Sequence, residues 1–226
     1  MNTIFYLIRH SIRLKKNDIE SLYSSQSNLI NNEKIILSID GEKRAEVLSK
    51  IPELQKVSRI YSSNCVRTIQ TAKYLMKELG LKLNIDERFD ERRVGIENAE
   101  ECPDWLQRQY TDIDYSTVNG ESQRMVVKRF DEALNDIMKK HPGEEIAIFS
   151  HGYAISFFLL KYFKFAGVDD THWVKLLDKN DKVVLDKRLD SPEVFKITLN
   201  EKLELMDFTN IIVDYGDIKY NYNEAQ

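Results

Sequence analysis

The chain has 226 residues, 42% apolar and 31% charged, with 33 Lys and Arg set against 37 Asp and Glu. A formal net charge of −4 excludes a wholesale electrostatic grip on nucleic acid, and only 8 Gly and 4 Pro argue against collagen-like, propeller or heavily looped β architectures. Two Cys, at 65 and 102, make neither a disulfide framework nor a four-thiolate zinc site, and fit a reducing compartment.

Thr3 to Ile8 is a short apolar run of β-forming residues, which predicts a strand buried on both faces. Residues 11–37 are polar and read as a long surface excursion. Asp40 reads as the N-cap of a helix that continues through Glu42 to Ile51 and stops at Pro52. A second strand is expected over Val57–Tyr61. Val66, Ile69, Ala72, Leu75, Met76 and Leu79 then recur at helical spacing until Gly80. Leu81–Ile85 reads as a third strand. Residues 86–119 are acidic and irregular, with a short helix after Pro103. Met125, Val126, Phe130, Leu134, Ile137 and Met138 predict a helix within Gly120–His141. Glu145–Phe149 reads as a fourth strand, followed by an apolar helix from Gly152. Val194–Leu199 and Leu203–Phe208 suggest a terminal hairpin, and the last dozen residues a loose polar tail.

Four strand–helix alternations predict an α/β protein, a three-layer α/β/α sandwich with a mostly parallel central sheet. The expectation is one domain over 1–226, with insertions at 14–36 and 96–119 forming the rim of a pocket. The apolar stretch Ala154–Phe165 is interrupted by Lys161 and is too short to span a bilayer, and no basic residue precedes the N-terminal apolar run. A cytoplasmic protein with no membrane or nucleic-acid partner is the expected setting; the oligomeric state is not legible.

Sites in such sheets lie beyond the carboxyl ends of the strands. The first strand ends in Arg9-His10-Ser11, the second in Tyr61-Ser62-Ser63 with Arg67 shortly after, and the fourth in Ser150-His151-Gly152. Arg88-Phe89-Asp90-Glu91 follows the third. Two of the four His thus meet two Arg and a carboxylate at one edge. Phosphoryl transfer needs this set. Neutral imidazole is a competent nucleophile, guanidinium forks match phosphate oxygens, and helix N-termini add N–H donors. A carboxylic acid can protonate the leaving oxygen and afterwards activate water.

These residues resemble the histidine phosphatase (phosphoglycerate mutase-like) superfamily. Ile8-Arg9-His10-Ser11 looks like the family's R-H-G start, and Leu37-Ser38-Ile39-Asp40-Gly41 like its L-[ST]-x-x-G turn. Tyr61 to Ala72 is a near-complete Y-S-S-x-x-x-R-T-x-Q-T-A, and Ser150-His151-Gly152 is similar to the second histidine motif. Phe89-Asp90-Glu91 and Gly120-Glu121-Ser122 fit lesser signatures. The resemblance implies that His10 is a nucleophile forming phosphohistidine. It implies that Arg9 and Arg67 hold the phosphoryl oxygens, that His151 donates to the same group, and that Glu91 is the acid/base. Arg13 stands where some family branches place a further phosphate-binding Arg. It also implies a small phosphorylated substrate and no metal or cofactor.

The chain departs from the pattern in two places. Ser11 replaces the usual Gly, though its hydroxyl could donate to phosphate. Glu91-Arg92-Arg93-Val94-Gly95 lacks the Tyr of the mutase E-R-x-Y-G, which favours a phosphatase over a mutase. A phosphate-binding module with weakened catalysis is the reading from another class. Rivals for Glu91 are Glu87, Asp90 and Asp86. The C-x5-R spacing of Cys102 and Arg108 matches cysteine phosphatases, but Glu100 and Glu101 would raise that thiol's pKa and repel phosphate. His141 and His172 read as structural or exposed.

Overall fold

The computed structural model of the chain describes residues 1–14, 33–95, 105–169 and 173–220. In order these form β1 (Thr3–Arg9), α1 (Ile39–Ser49), β2 (Arg59–Ser62), α2 (Val66–Leu79), β3 (Leu83–Ile85), α3 (Trp105–Thr111), α4 (Gln123–Lys140), β4 (Glu145–Ser150), α5 (Gly152–Leu159), β5 (Lys164–Val168), β6 (Trp173–Leu177), β7 (Val183–Arg188), β8 (Val194–Leu199) and β9 (Leu205–Ile211). Short 3-10 turns occupy Pro52–Leu54 and Glu87–Phe89.

The central sheet has the order β3-β2-β4-β1-β8-β9. Its first four strands are parallel, and the β8–β9 hairpin closes it antiparallel. Successive residues of β1 enter opposite cores. Phe5 and Leu7 pack with Val126 and Phe130 of α4 and Ala154 and Phe158 of α5. Tyr6 and Ile8 pack with Leu48 of α1 and Ala72 and Leu75 of α2. A strand covered on both faces must be apolar at every position, which is why it reads as an unbroken run. The three-layer arrangement is therefore the one expected.

Three details differ. Ser38, not Asp40, caps α1: its Oγ accepts from Gly41 N at 3.0 Å, while Asp40 sits in the first turn and pairs with Lys43. A second antiparallel sheet, β5-β6-β7, follows α5 and sends Val174, Leu176 and Leu185 into the α4–α5 side of the core. Register shifts interrupt the two-residue alternation of β5 and β7, and only β6, with Val174 and Leu176 buried on either side of Lys175, keeps a short strand period. The tail is not loose as far as the description reaches. Tyr215 is buried, its ring 3.8 Å from the Arg44 guanidinium and its hydroxyl donating to Pro192 O. Residues 15–32 and 96–104, the greater part of the first expected insertion and the start of the second, lie outside the described residues, as does His172. Among the described residues no helix is long and apolar enough to cross a membrane.

Since β8 is antiparallel to β1, with Val194 opposite Ile8, the Leu189–Glu193 turn arrives at the carboxyl edge of the parallel strands. That turn becomes part of the site's wall.

Candidate active site

β1 delivers His10 to the sheet edge, where its backbone N–H donates to Ser150 O on β4 at 2.9 Å. His10 is only 6% exposed. Its Nδ1 lies 2.7 Å from Ser11 O. A carbonyl oxygen only accepts, so Nδ1 carries the proton and Nε2 keeps its lone pair. Burial, and then the Arg67 and Arg9 cations, hold the imidazole pKa well below its usual value. The ring is neutral across the physiological range.

Ser11 does not face this space. It is fully buried, its N–H donates to Thr71 Oγ1 at 2.9 Å, and its hydroxyl donates to Gly41 O at 2.7 Å. The hydroxyl is a tie to α1, which corrects its reading as a phosphate donor. Packing there is close: a Cβ on Gly41 would stand 2.0 Å from Ile12 O.

His151, fully buried, is the N-cap of α5, and its ring centroid is 5.3 Å from that of His10. Arg67, in the first turn of α2 and also buried, places Nη2 2.9 Å from His151 Nδ1. The other ring nitrogen, Nε2, lies 2.8 Å from Ser63 Oγ. Burial, then Arg67 and His10, keep this imidazole's pKa well below its usual value too. With Nδ1 accepting from Arg67, neutral His151 has no proton on that nitrogen to give.

Arg9 also differs from expectation. Its Nη1 donates to Leu189 O at 2.7 Å and Asp190 O at 3.1 Å, and its Nη2 donates to Tyr220 Oη at 3.3 Å. Three of its five N–H groups thus go to the β7–β8 turn and the C-terminal segment. Its Nε is buried without a hydrogen-bond partner, 3.2 Å from where a Cβ on Gly152 would sit, and so presents an N–H beside the start of α5. Arg13, half-buried and bridged to Leu37, adds its charge to the field at His10 and Arg67.

Glu91 is pinned at one oxygen. Oε1 accepts from Arg92 N at 2.8 Å and from Ala154 N, in the first turn of α5, at 2.9 Å. The carboxylate is thereby held two positions beyond the start of the helix that His151 caps. Its rivals are placed otherwise. Asp86 is bound by Arg88 at 2.7 Å, Glu87 is exposed, and Asp90 accepts from Asn64 N at the approach to α2. Burial pushes the Asp90 carboxyl up to about 6.

Several contributors were not given roles from sequence. Ser63 and Thr68 lie inside the Tyr61–Ala72 motif, and their hydroxyls at strand and helix ends are the signal that could have singled them out. Glu121 is buried between two cations, accepting from Arg129 Nε at 3.1 Å and Arg93 N at 2.9 Å. Arg129 also donates to Arg88 O at 2.7 Å, so α4 braces the loop that carries Glu91. The Leu189–Glu193 turn, which seats Arg9, carries a turn signal in Asp190-Ser191-Pro192 but nothing that points to Arg9. Cys65 N-caps α2, and burial raises its thiol pKa to about 11. Cys102 lies outside the described residues, and Arg108 pairs with Asp112 at 3.8 Å.

A buried imidazole with a bare Nε2, in the field of Arg67, Arg9 and Arg13, suits attack on an electrophile whose oxygens are negative. Residues 5–184 match the model of the histidine phosphatase superfamily, branch 1. The chain belongs to that superfamily. This histidine phosphatase superfamily member is 24% identical over 158 residues to a probable phosphoglycerate mutase of Yersinia enterocolitica, covering 66% of this chain and 70% of that one. Its fold is similar to that of a mycobacterial glucosyl-3-phosphoglycerate phosphatase, with a TM-score of 0.64 at 15% identity over 94% of this chain and 99% of that one. It is also similar to a putative alpha-ribazole-5'-P phosphatase from Escherichia coli, with a TM-score of 0.57 at 17% identity over 94% and 96% of the two chains. Proteins similar to this chain in sequence or in fold thus include ones named as mutases and as phosphatases.

Proposed function

We propose that this superfamily member is a metal-independent phosphatase that hydrolyses phosphomonoesters of small molecules through a phosphohistidine on His10. The observation that carries the reading is the Nδ1–H···O bond from His10 to Ser11, which leaves a lone pair on Nε2 in the field of Arg67, Arg9 and Arg13.

In the first step Nε2 attacks phosphorus and the bond from phosphorus to the ester oxygen breaks. Glu91, protonated on the oxygen not held by Arg92 and Ala154, gives its proton to that oxygen as it leaves. The Arg67 fork and the Arg9 Nε–H face charge spread over the phosphoryl oxygens, with Arg13 at the rim. In the second step ionised Glu91 takes a proton from water, the water oxygen bonds to phosphorus, and the P–N bond to His10 breaks. Inorganic phosphate leaves and the site is restored.

The test compares leaving groups. An alkyl alkoxide needs a proton in the transition state and p-nitrophenolate needs little help. Formation of phospho-His10 in a single turnover should slow by about 10²–10⁴-fold in Glu91→Gln with a sugar phosphate and far less with p-nitrophenyl phosphate. Equal losses on the two substrates would remove Glu91 from the acid role and turn attention to Asp90.

A mutase reading has one specific support, the Yersinia relative's name. It uses the same residues but returns the phosphoryl group to a second hydroxyl. Interconversion of 2- and 3-phosphoglycerate faster than phosphate release would favour it. Arg93-Val94, where mutases of the family carry x-Tyr, supports hydrolysis instead.

A further inference from the structure

His151 is held at both ring nitrogens by partners whose direction is fixed. Arg67 Nη2, 2.9 Å from Nδ1, can only donate, so Nδ1 receives that bond with its lone pair. On the opposite edge Nε2 lies 2.8 Å from Ser63 Oγ, which lies 2.7 Å from Thr68 Oγ1, which lies 2.7 Å from Cys65 O. The carbonyl at the end of this chain can only accept. Thr68 therefore donates to Cys65 O, Ser63 donates to Thr68, and Nε2–H donates to Ser63. The Cys65 N–H, 3.3 Å from Ser63 Oγ, supplies that oxygen with a second donor and reinforces the same polarity. Ser63, Thr68 and His151 are all fully buried, so water does not compete for these bonds.

We propose that Ser63 and Thr68 are positioning residues that lock neutral His151 as its Nε2–H tautomer, so that binding of a phosphoryl dianion beside Arg67 takes up one proton at Nδ1. This rests on the reading of the pocket as a phosphoryl site. An oxyanion that claims the Arg67 N–H meets the bare Nδ1 lone pair and is repelled by it. A proton on Nδ1 turns that repulsion into a charge-assisted hydrogen bond. The imidazolium keeps its Nε2–H on Ser63, so one hydroxyl chain serves both protonation states. The groups facing His151 are Arg9 at the end of β1 and His10 just after it, Arg67 from α2 and Arg129 from α4, with the Glu91 carboxylate held at Ala154 N in the first turn of the helix His151 caps. Burial and three cations keep the proton off until two negative charges arrive. The balance is free enzyme plus dianion plus one proton giving the complex. Only an N–H bond forms, and the proton comes from solvent, or from the ester itself when it binds as a monoanion.

The probe is tungstate, a dianion with no proton of its own at pH 8, added to 15N-histidine-labelled enzyme, with His151→Asn assigning the two signals. Without tungstate the His151 pair should show one protonated and one bare nitrogen; at saturation both should be protonated. Calorimetry in buffers of different ionisation enthalpy, done in Glu91→Gln so that this carboxylate cannot be the acceptor, should read one proton taken up. Affinity should weaken about tenfold per pH unit between 7.5 and 8.5. Ser63→Ala should admit the Nδ1–H tautomer to the resting spectrum and weaken tungstate binding about ten- to a hundredfold, since the imidazolium loses its acceptor. A packing role alone would leave the tautomer unmoved. A bare Nδ1 at saturating tungstate, or two protonated nitrogens before it is added, overturns the proposal while leaving the phosphatase reading intact if p-nitrophenyl phosphate is still turned over. Absence of tungstate binding overturns both.

Discussion

At the scale of single residues, His10 and Arg67 each do two things through one group. His10 spends Nδ1–H on Ser11 O and so leaves a lone pair on Nε2, the atom proposed to attack phosphorus. His10→Ala should therefore lose several decades of turnover and all acid-labile labelling from a radiolabelled ester. Near-normal turnover in the variant would end the assignment. Arg67 sends one N–H to His151 and sets its positive charge beside both imidazoles. A Lys there is a point charge that cannot span both tasks. Arg67→Lys should lower kcat/KM by about 10²-fold or more, with both KM and kcat affected. Wild-type kinetics in the Lys variant would contradict the role.

At the scale of elements, the first loop and α1 are fitted to each other without slack. Ser11 donates to Gly41 O, Ser38 caps the helix, and the Cα of Gly41 faces the Ile12 carbonyl at a distance no Cβ tolerates. Gly41→Ala would gain helix propensity in isolation. Here it should cost about 1–3 kcal/mol of stability by overpacking, read as a lower denaturant midpoint with the slope unchanged, and should displace His10 enough to reduce turnover. What sequence reading recovers follows the same logic. β1, β2 and β4 are covered on both faces and end in Arg9-His10, Ser62-Ser63 and Ser150-His151, so an apolar run followed by polar residues marks both strand and site. Nothing comparable marks β5 to β7, whose outward face carries Trp173, Lys175 and Asp186 and whose register shifts twice. The seat of Arg9 is invisible for a different reason. It is built from the backbone carbonyls of Leu189 and Asp190, about 180 residues away in the chain, and any side chain supplies a carbonyl. The Arg44–Asp190 pair that steadies this turn is likewise a long-range contact that composition does not signal.

At the scale of the whole molecule, two neutral imidazoles buried together make stability depend on pH. Unfolded, each takes a proton near pH 6.5; folded, neither does until the pH is far lower. Their contribution is complete above about pH 6.5 and is lost as the pH falls below it, at up to ~1.4 kcal/mol per pH unit for each proton. Asp90 acts in the opposite sense. Its folded carboxyl protonates near 6 and its unfolded one near 3.8, so between those values acid favours the fold by one proton. The melting temperature should fall between pH 7.5 and 5.5, with the slope easing below 6 as Asp90 offsets one imidazole. A rise over that interval would contradict the buried neutral pair. The fold also carries its own reporter of how often this region opens. The Cys65 thiol is buried at the start of α2, two residues from Arg67, and burial raises its pKa to about 11. A thiol so placed does not react with alkylating reagents until the helix start is released from the sheet edge. The rate of Cys65 modification, followed by peptide mapping, is therefore a clock for local unfolding of this sheet edge, one that an added oxyanion should slow if the proposed site lies there.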